Sequence, residues 1–282
     1  MPPDAPSGRP RRPDPDISAE QDPINTIDLP ALHRKSQRIM AELIAALPAY
    51  YRNRVADATL DFDAGAINAY ASCRMHGPTV TLTDELLHVM AQLARARALE
   101  EEFDVDATRV YMRWMAEHQT SDGALAVPPE GRDWIARRLD RQKLTRQHQI
   151  FDEGIAWVIG HELAHHYLNH LSCDGDGGVI VDIHHATEMI IPAFHQPDEL
   201  AADSAGIANT LAAGRQRKGY AWTQHGALLL LEFLRIVDDT NALPLERTHP
   251  PAIVRIPILK GATATWYIGN GAIPPAIPYP KV

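Results

Sequence analysis

Ile150 to Leu171 is a strongly apolar run with His161-Glu162-Leu163-Ala164-His165 at its middle, so the chain must bury a long helix with ionisable groups inside it. Residues four apart share a helical face. At 100° per residue the two imidazoles lie about 40° apart and converge on one point. Glu162, next along, can reach water held at that point. Two imidazoles and a carboxylate base in H-E-x-x-H spacing are the donor set of a zinc hydrolase. Burying a carboxylate among them is costly unless a cation or a donor compensates it.

Such a site needs a third protein ligand and keeps a fourth position open. Pro197 to Ala213 reads as a helix, with Asp198 and Glu199 in its first turn and Gly214 past its end. Glu199 and Asp203, four apart, share a face. Glu199 can ligate the metal, while Asp203 can accept the second imidazole N–H of a ligand histidine and fix its tautomer. His170 points about 180° away from His161 and reaches the site only if the helix breaks near Asn169. His184, His185 and His195 lie between the two helices, and any of them could substitute as the third ligand. Further on, Thr248-His249-Pro250-Pro251 sets a histidine in a proline-stiffened turn, where it could hydrogen-bond a developing oxyanion. Arg255 could anchor that turn or pair with Asp203.

The rest of the chain reads as α+β, mainly helical with a small sheet beside the active-site helix. Apolar spacing predicts helices over Leu32 to Leu47, from Thr83-Asp84-Glu85 onward, and over Tyr220 to Val237. Thr79 to Thr83 alternates polar and apolar residues, and a short strand is expected around Ala66 to Tyr70. The strand near Val80 is expected at the sheet edge, holding an extended peptide by strand addition. Residues 1–28, rich in Pro, Asp and Arg, read as a disordered leader, and 29–260 as one catalytic domain. Within that domain 100–148 could be a helical insertion, and 261–282 reads as an extended tail.

A net charge of −9 argues against adhesion to nucleic acid or anionic membranes. The beginning of the chain lacks the basic-then-apolar order of a signal peptide, and no run reaches the length of a membrane span. Cys73 and Cys173 form no disulfide framework and suit a reducing compartment. The expectation is a cytoplasmic protein.

H-E-x-x-H, then E-x-x-x-D from Glu199 to Asp203, then T-H-P-x-x-x-x-R-I from Thr248 to Ile256 resembles the gluzincin metallopeptidases of the HtpX and CAAX-prenyl-protease type. Ile67-Asn68-Ala69-Tyr70-Ala71 is loosely similar to the hairpin those enzymes place beside the cleft. Ile155-Ala156-Trp157 before the motif, Leu168-x-His170 after it, and Ser204 following Asp203 bring the chain nearer to the phage-exclusion peptidase Lit family. This resemblance implies one Zn(2+) per chain on His161, His165 and Glu199, with Glu162 as general base. It also implies a protein or peptide substrate, and proteolysis that stays latent until a phage-derived activator appears. In the Lit family the target is elongation factor Tu. The alternatives are a housekeeping quality-control peptidase and a non-catalytic, zinc-braced binding module.

Overall fold

The apolar run around His161 folds as the long central helix of the molecule, and the other elements are arranged around it. The structure, a computed structural model, describes residues 21–74, 77–103, 106–118, 141–171, 173, 196–239 and 249–271. In chain order the elements are α1 (Pro23–Thr26), α2 (Leu29–Ala46), α3 (Ala49–Arg52), β1 (Thr59–Asp63), β2 (Ala69–Arg74) and β3 (Gly77–Thr83). They continue as α4 (Asp84–Phe103), α5 (Ala107–Glu117), α6 (Arg141–Tyr167), α7 (Gln196–Gln216), α8 (His225–Asp239) and α9 (Ala252–Gly269). The fold is α+β, mostly helical with one small sheet.

Helix α6, about 40 Å long at 1.5 Å per residue, is buried from Ile150 to Tyr167 because α2, α4, α7 and α8 pack around it. Ile150, Phe151, Ile155, Ile159 and Leu163 are fully buried, each stabilising the fold by about 1.5–3 kcal/mol relative to exposure. Two glycines notch its surface. A Cβ on Gly226 of α8 would stand 2.2 Å from the Gly154 nitrogen, so the start of α8 lies directly on α6. A Cβ on Gly206 of α7 would stand 2.7 Å from the His161 nitrogen. The second contact fixes the spacing of the two helices that carry the site.

The sheet order is β1-β3-β2, with β1 parallel and β2 antiparallel to β3. Val80 therefore lies in the middle strand, paired on both sides, and not at the edge where the sequence alternation placed it. The alternation misled because Thr79 and Thr81 are buried along with Val80 and Leu82. Threonine hydroxyls tolerate this when paired, as Thr79 is with Thr59 at 3.2 Å. Among the described residues, the outer strand that packs beside α6 is β2.

Two boundaries differ from the sequence reading. The expected leader over 1–28 already contains structure: Asp22 caps α1 at the Ile24 nitrogen, 3.0 Å, and accepts from Gln147 of α6, 3.0 Å, while Ile24 is buried. The expected tail from 261 begins as helix, because α9 runs to Gly269 and buries Tyr267. Residues 1–20 and 272–282 lie outside the described residues. Of segment 100–148, the end of α4, α5 and the start of α6 are described, and Tyr111, Met112 and Met115 of α5 are buried.

The two cysteines are not separate thiols. Cys73 of β2 and Cys173 beyond α6 are joined as a disulfide. Spacing in the sequence gave no sign of this, since a hundred residues separate them. Among the described residues, no helix is long and apolar enough to cross a membrane.

Candidate active site

His161 and His165 occupy one face of α6, and their Nε2 atoms approach to 3.2 Å. Across the glycine crossing, α7 presents Glu199 in its first turn. Its carboxylate oxygens lie 3.3 Å from Nε2 of His161 and 3.4 Å from Nε2 of His165. The three donor groups fall within 4.8 Å of one another and are buried or nearly so. Two imidazole nitrogens and one carboxylate, converging from two helices, are the donors that tetrahedral zinc takes in hydrolases. Glu162, Glu199 and Asp203 are buried together, close to Arg255.

A further layer orients these groups. His161 Nδ1 donates to Asp203 Oδ1 at 2.9 Å, leaving Nε2 as the nitrogen that faces Glu199. Arg255 of α9 grips the same carboxylate with two hydrogen bonds, Nε to Oδ2 at 2.8 Å and Nη2 to Oδ1 at 2.6 Å. Such forked pairs fix geometry as well as charge. His249, just ahead of α9, hydrogen-bonds through Nδ1 to Glu199 Oε2. The positions singled out in the sequence are thus brought together by three separate stretches of chain: α6, α7 and the segment from His249 into α9.

Electrostatics follow from this packing. Burial alone would lower the His161 imidazole, but hydrogen bonds to Asp203 and Glu199 outweigh it and hold the pKa at about 10. Burial would raise Glu199, yet His249 and His161 keep its carboxyl well below the usual carboxylate range. Asp203 is held down in the same way, chiefly by Arg255 against the effect of burial. His165 goes in the opposite direction: burial, then the charge of His161, push it well below the ordinary histidine value. It keeps a lone pair for a metal. Glu162 is pushed up by burial, which suits a group that must take a proton near neutrality.

His170 enters through the helix break that the sequence made conditional. Helix α6 ends at Tyr167, and Asn169 adopts a left-handed backbone, φ 64°, which asparagine tolerates better than most residues. Arg54 fastens the break with bonds to Tyr167 O, 2.9 Å, and Asn169 Oδ1, 2.8 Å. His170 Nδ1 then lies 3.2 Å from His165 Nδ1 and steadies that ring from behind. In the sequence the break was legible only as a condition, and this contact with His165 was not. His184, His185 and His195 lie outside the described residues.

Beside Glu162 opens a cleft walled by Ile67, Ala69, Leu86, Trp157, Val158, Leu230 and Leu234, with Asn68, His249 and Arg255 as its polar groups. Thr83 holds its rim: the Asn68 nitrogen donates to Thr83 Oγ1 at 2.9 Å, and the Thr83 nitrogen returns a bond to Asn68 O at 3.0 Å. The model of peptidase family M48 matches residues 30–175, just over half of the chain. The chain belongs to peptidase family M48. It is therefore a metallopeptidase, a hydrolase of peptide bonds, from a family that is typically zinc-dependent. The match takes in the H-E-x-x-H helix and the sheet of this M48 chain. Glu199, Asp203, His249 and Arg255 lie beyond it and join the site by geometry alone. No curated protein and no solved structure matches the chain.

Proposed function

We propose that the chain is a zinc-dependent metalloendopeptidase in which His161, His165 and Glu199 hold one ion and Glu162 is the general base. The observation that carries this reading is the position of the Glu199 carboxylate, 3.3 and 3.4 Å from the two Nε2 atoms although it comes from another helix. A zinc ion bound there would supply Lewis acidity, acidifying water and polarising a carbonyl. Glu162, buried at the mouth of the cleft, takes the proton from the attacking water and later delivers it to the leaving amine. The imidazolium form of His249, with Nδ1 donating to Glu199, has a second N–H at Nε2 to donate to the oxygen on which charge develops. Asp203 and Arg255 position His161. An apolar substrate side chain fits the cleft walls, and β2, an outer strand of the sheet among the described residues, is the strand nearest α6 for an extended peptide to pair along.

Glu162→Gln tests the assignment. The variant should keep zinc and its fold while losing nearly all hydrolysis of a protein substrate. Wild-type turnover in that variant would remove Glu162 from the mechanism, whereas no cleavage by either protein would leave only a zinc-braced binding module.

The biological reading we favour is a latent, cytoplasmic defence protease that acts on a host translation factor when a phage component appears. It rests on the motif resemblance to the Lit family, down to Trp157, His170 and Ser204. Host lysate incubated with the purified protein, with and without infection, separates it from a housekeeping quality-control peptidase. New N-termini appearing only after infection support latency, whereas the same cleavages in both lysates support housekeeping.

A further inference from the structure

One cluster of metal-binding groups takes no part in the site above. His166 follows the ligand His165 but projects from a different face of α6, toward the sheet. Its Nε2 donates to the Thr79 carbonyl of β3 at 3.2 Å, so the proton sits on Nε2 and the Nδ1 lone pair is free. That lone pair faces Cys173 Sγ at 3.7 Å. His166 is almost fully buried, and Cys73, Cys173 and His166 offer three donor atoms within 4.8 Å of one another. While the two sulfurs are bonded to each other, neither carries a proton, so a buried nitrogen acceptor points at an atom that cannot donate to it.

We propose that these three residues form a second metal site, a zinc-type Cys2His centre available when the disulfide is reduced. Three observations support it. An imidazole that gives its other N–H to a backbone carbonyl is the usual second partner arrangement of a metal-ligating histidine. The 3.7 Å between sulfur and nitrogen is close to the roughly 3.6 Å edge of a tetrahedron built on Zn–S and Zn–N bonds of about 2.3 and 2.05 Å. The Cα atoms of Cys73 and Cys173 are 5.3 Å apart, so rotation of two thiolate side chains can open the sulfurs to the roughly 3.8 Å such a site needs. The sequence of events balances. A dithiol reductant gives two electrons and two protons, its own thiols become a disulfide, and the Cys73–Cys173 bond becomes two thiols. The metal then displaces both thiol protons to solvent and is held by two thiolates and the His166 nitrogen. Either state ties β2, the outer strand beside the cleft, to the exit of helix α6. The metal-linked state is the one that survives in a reducing compartment.

Cobalt(II) binding to the full-length chain tests this independently of the peptidase site, which contains no sulfur. Reduced wild-type protein should show a thiolate-to-cobalt charge-transfer band and bind one more equivalent of metal than the oxidised protein. Cys73→Ser and Cys173→Ser should each abolish the band without removing the metal bound at His161 and His165. If the peptidase site itself failed to bind, the band would still appear, at one equivalent. A disulfide that a dithiol does not open in the folded chain would overturn the proposal, as would two titratable thiols with no thiolate band.

Discussion

Gly206→Ala adds one methyl group at the crossing of α6 and α7, and its effect can be worked out from the contact. The new Cβ would stand 2.7 Å from the His161 nitrogen, 3.0 Å from its Cα and 3.1 Å from the Gly160 carbonyl carbon. All three neighbours belong to helical backbone, which cannot turn aside as a side chain can. The helices must separate by roughly 0.5–1 Å to restore ordinary contact. Overpacking of this kind costs about 1–3 kcal/mol, or about 2–12 °C in Tm for a domain of this size. The same displacement carries Glu199 and Asp203 away from His161, whose bond to Asp203 is only 2.9 Å. Loss of such an orienting bond weakens metal affinity by about 10–100-fold. Gly261→Ala is the control: it is also in a helix, α9, but its Cβ would meet nothing, so it should be neutral or stabilising by up to about 1 kcal/mol. Differential scanning calorimetry and zinc titration against a chelator read both effects. Wild-type Tm and zinc affinity in Gly206→Ala would refute the idea that the crossing sets the site.

Other outcomes follow from the same contacts. Glu199→Ala should lose the ion while leaving the fold intact, as seen by elemental analysis alongside circular dichroism. Asp203→Asn should weaken zinc about 10–100-fold and destabilise the chain by several kcal/mol, about 3–5 for a buried ion pair broken on one side, because Arg255 is left unmatched. Chelator competition and urea unfolding measure the two losses separately. Burial, with Arg146 nearby, pushes His225 down to about 4, so the folded chain resists protonating it. The stability His225 contributes is complete above pH 6.5 and is lost as pH falls from 6.5 toward 4. His225→Asn should flatten that part of a urea-midpoint-against-pH curve, and an unchanged acid slope would contradict the assignment.

The central helix and the convergence of His161 with His165 were legible because H-E-x-x-H sets two histidines four positions apart, close to one helical turn. Glu199 and Asp203 were legible for the same reason, and α6, α7 and α8 differ from the apolar pattern mainly at their ends. What failed was information that lies between distant residues. Strand order is one case: threonines on β3 read as solvent-facing, yet neighbours on both sides bury them. Strand β1, Thr59-Leu60-Asp61-Phe62-Asp63, was missed because its acidic residues hide a strand whose Phe62 stacks on His33. The cluster of His166 with Cys73 and Cys173 is another case, since nothing local pairs residues a hundred positions apart. His170 was legible only as a condition, because a left-handed Asn169 is a property of the helix end and not of the motif.

Anomalous scattering at the zinc edge, from crystals grown with equimolar zinc, tests the central claim most directly. A single strong peak should lie between Nε2 of His161, Nε2 of His165 and the Glu199 carboxylate, with Glu162 beside it. A peak that excludes Glu199, or none at that position, would contradict the account.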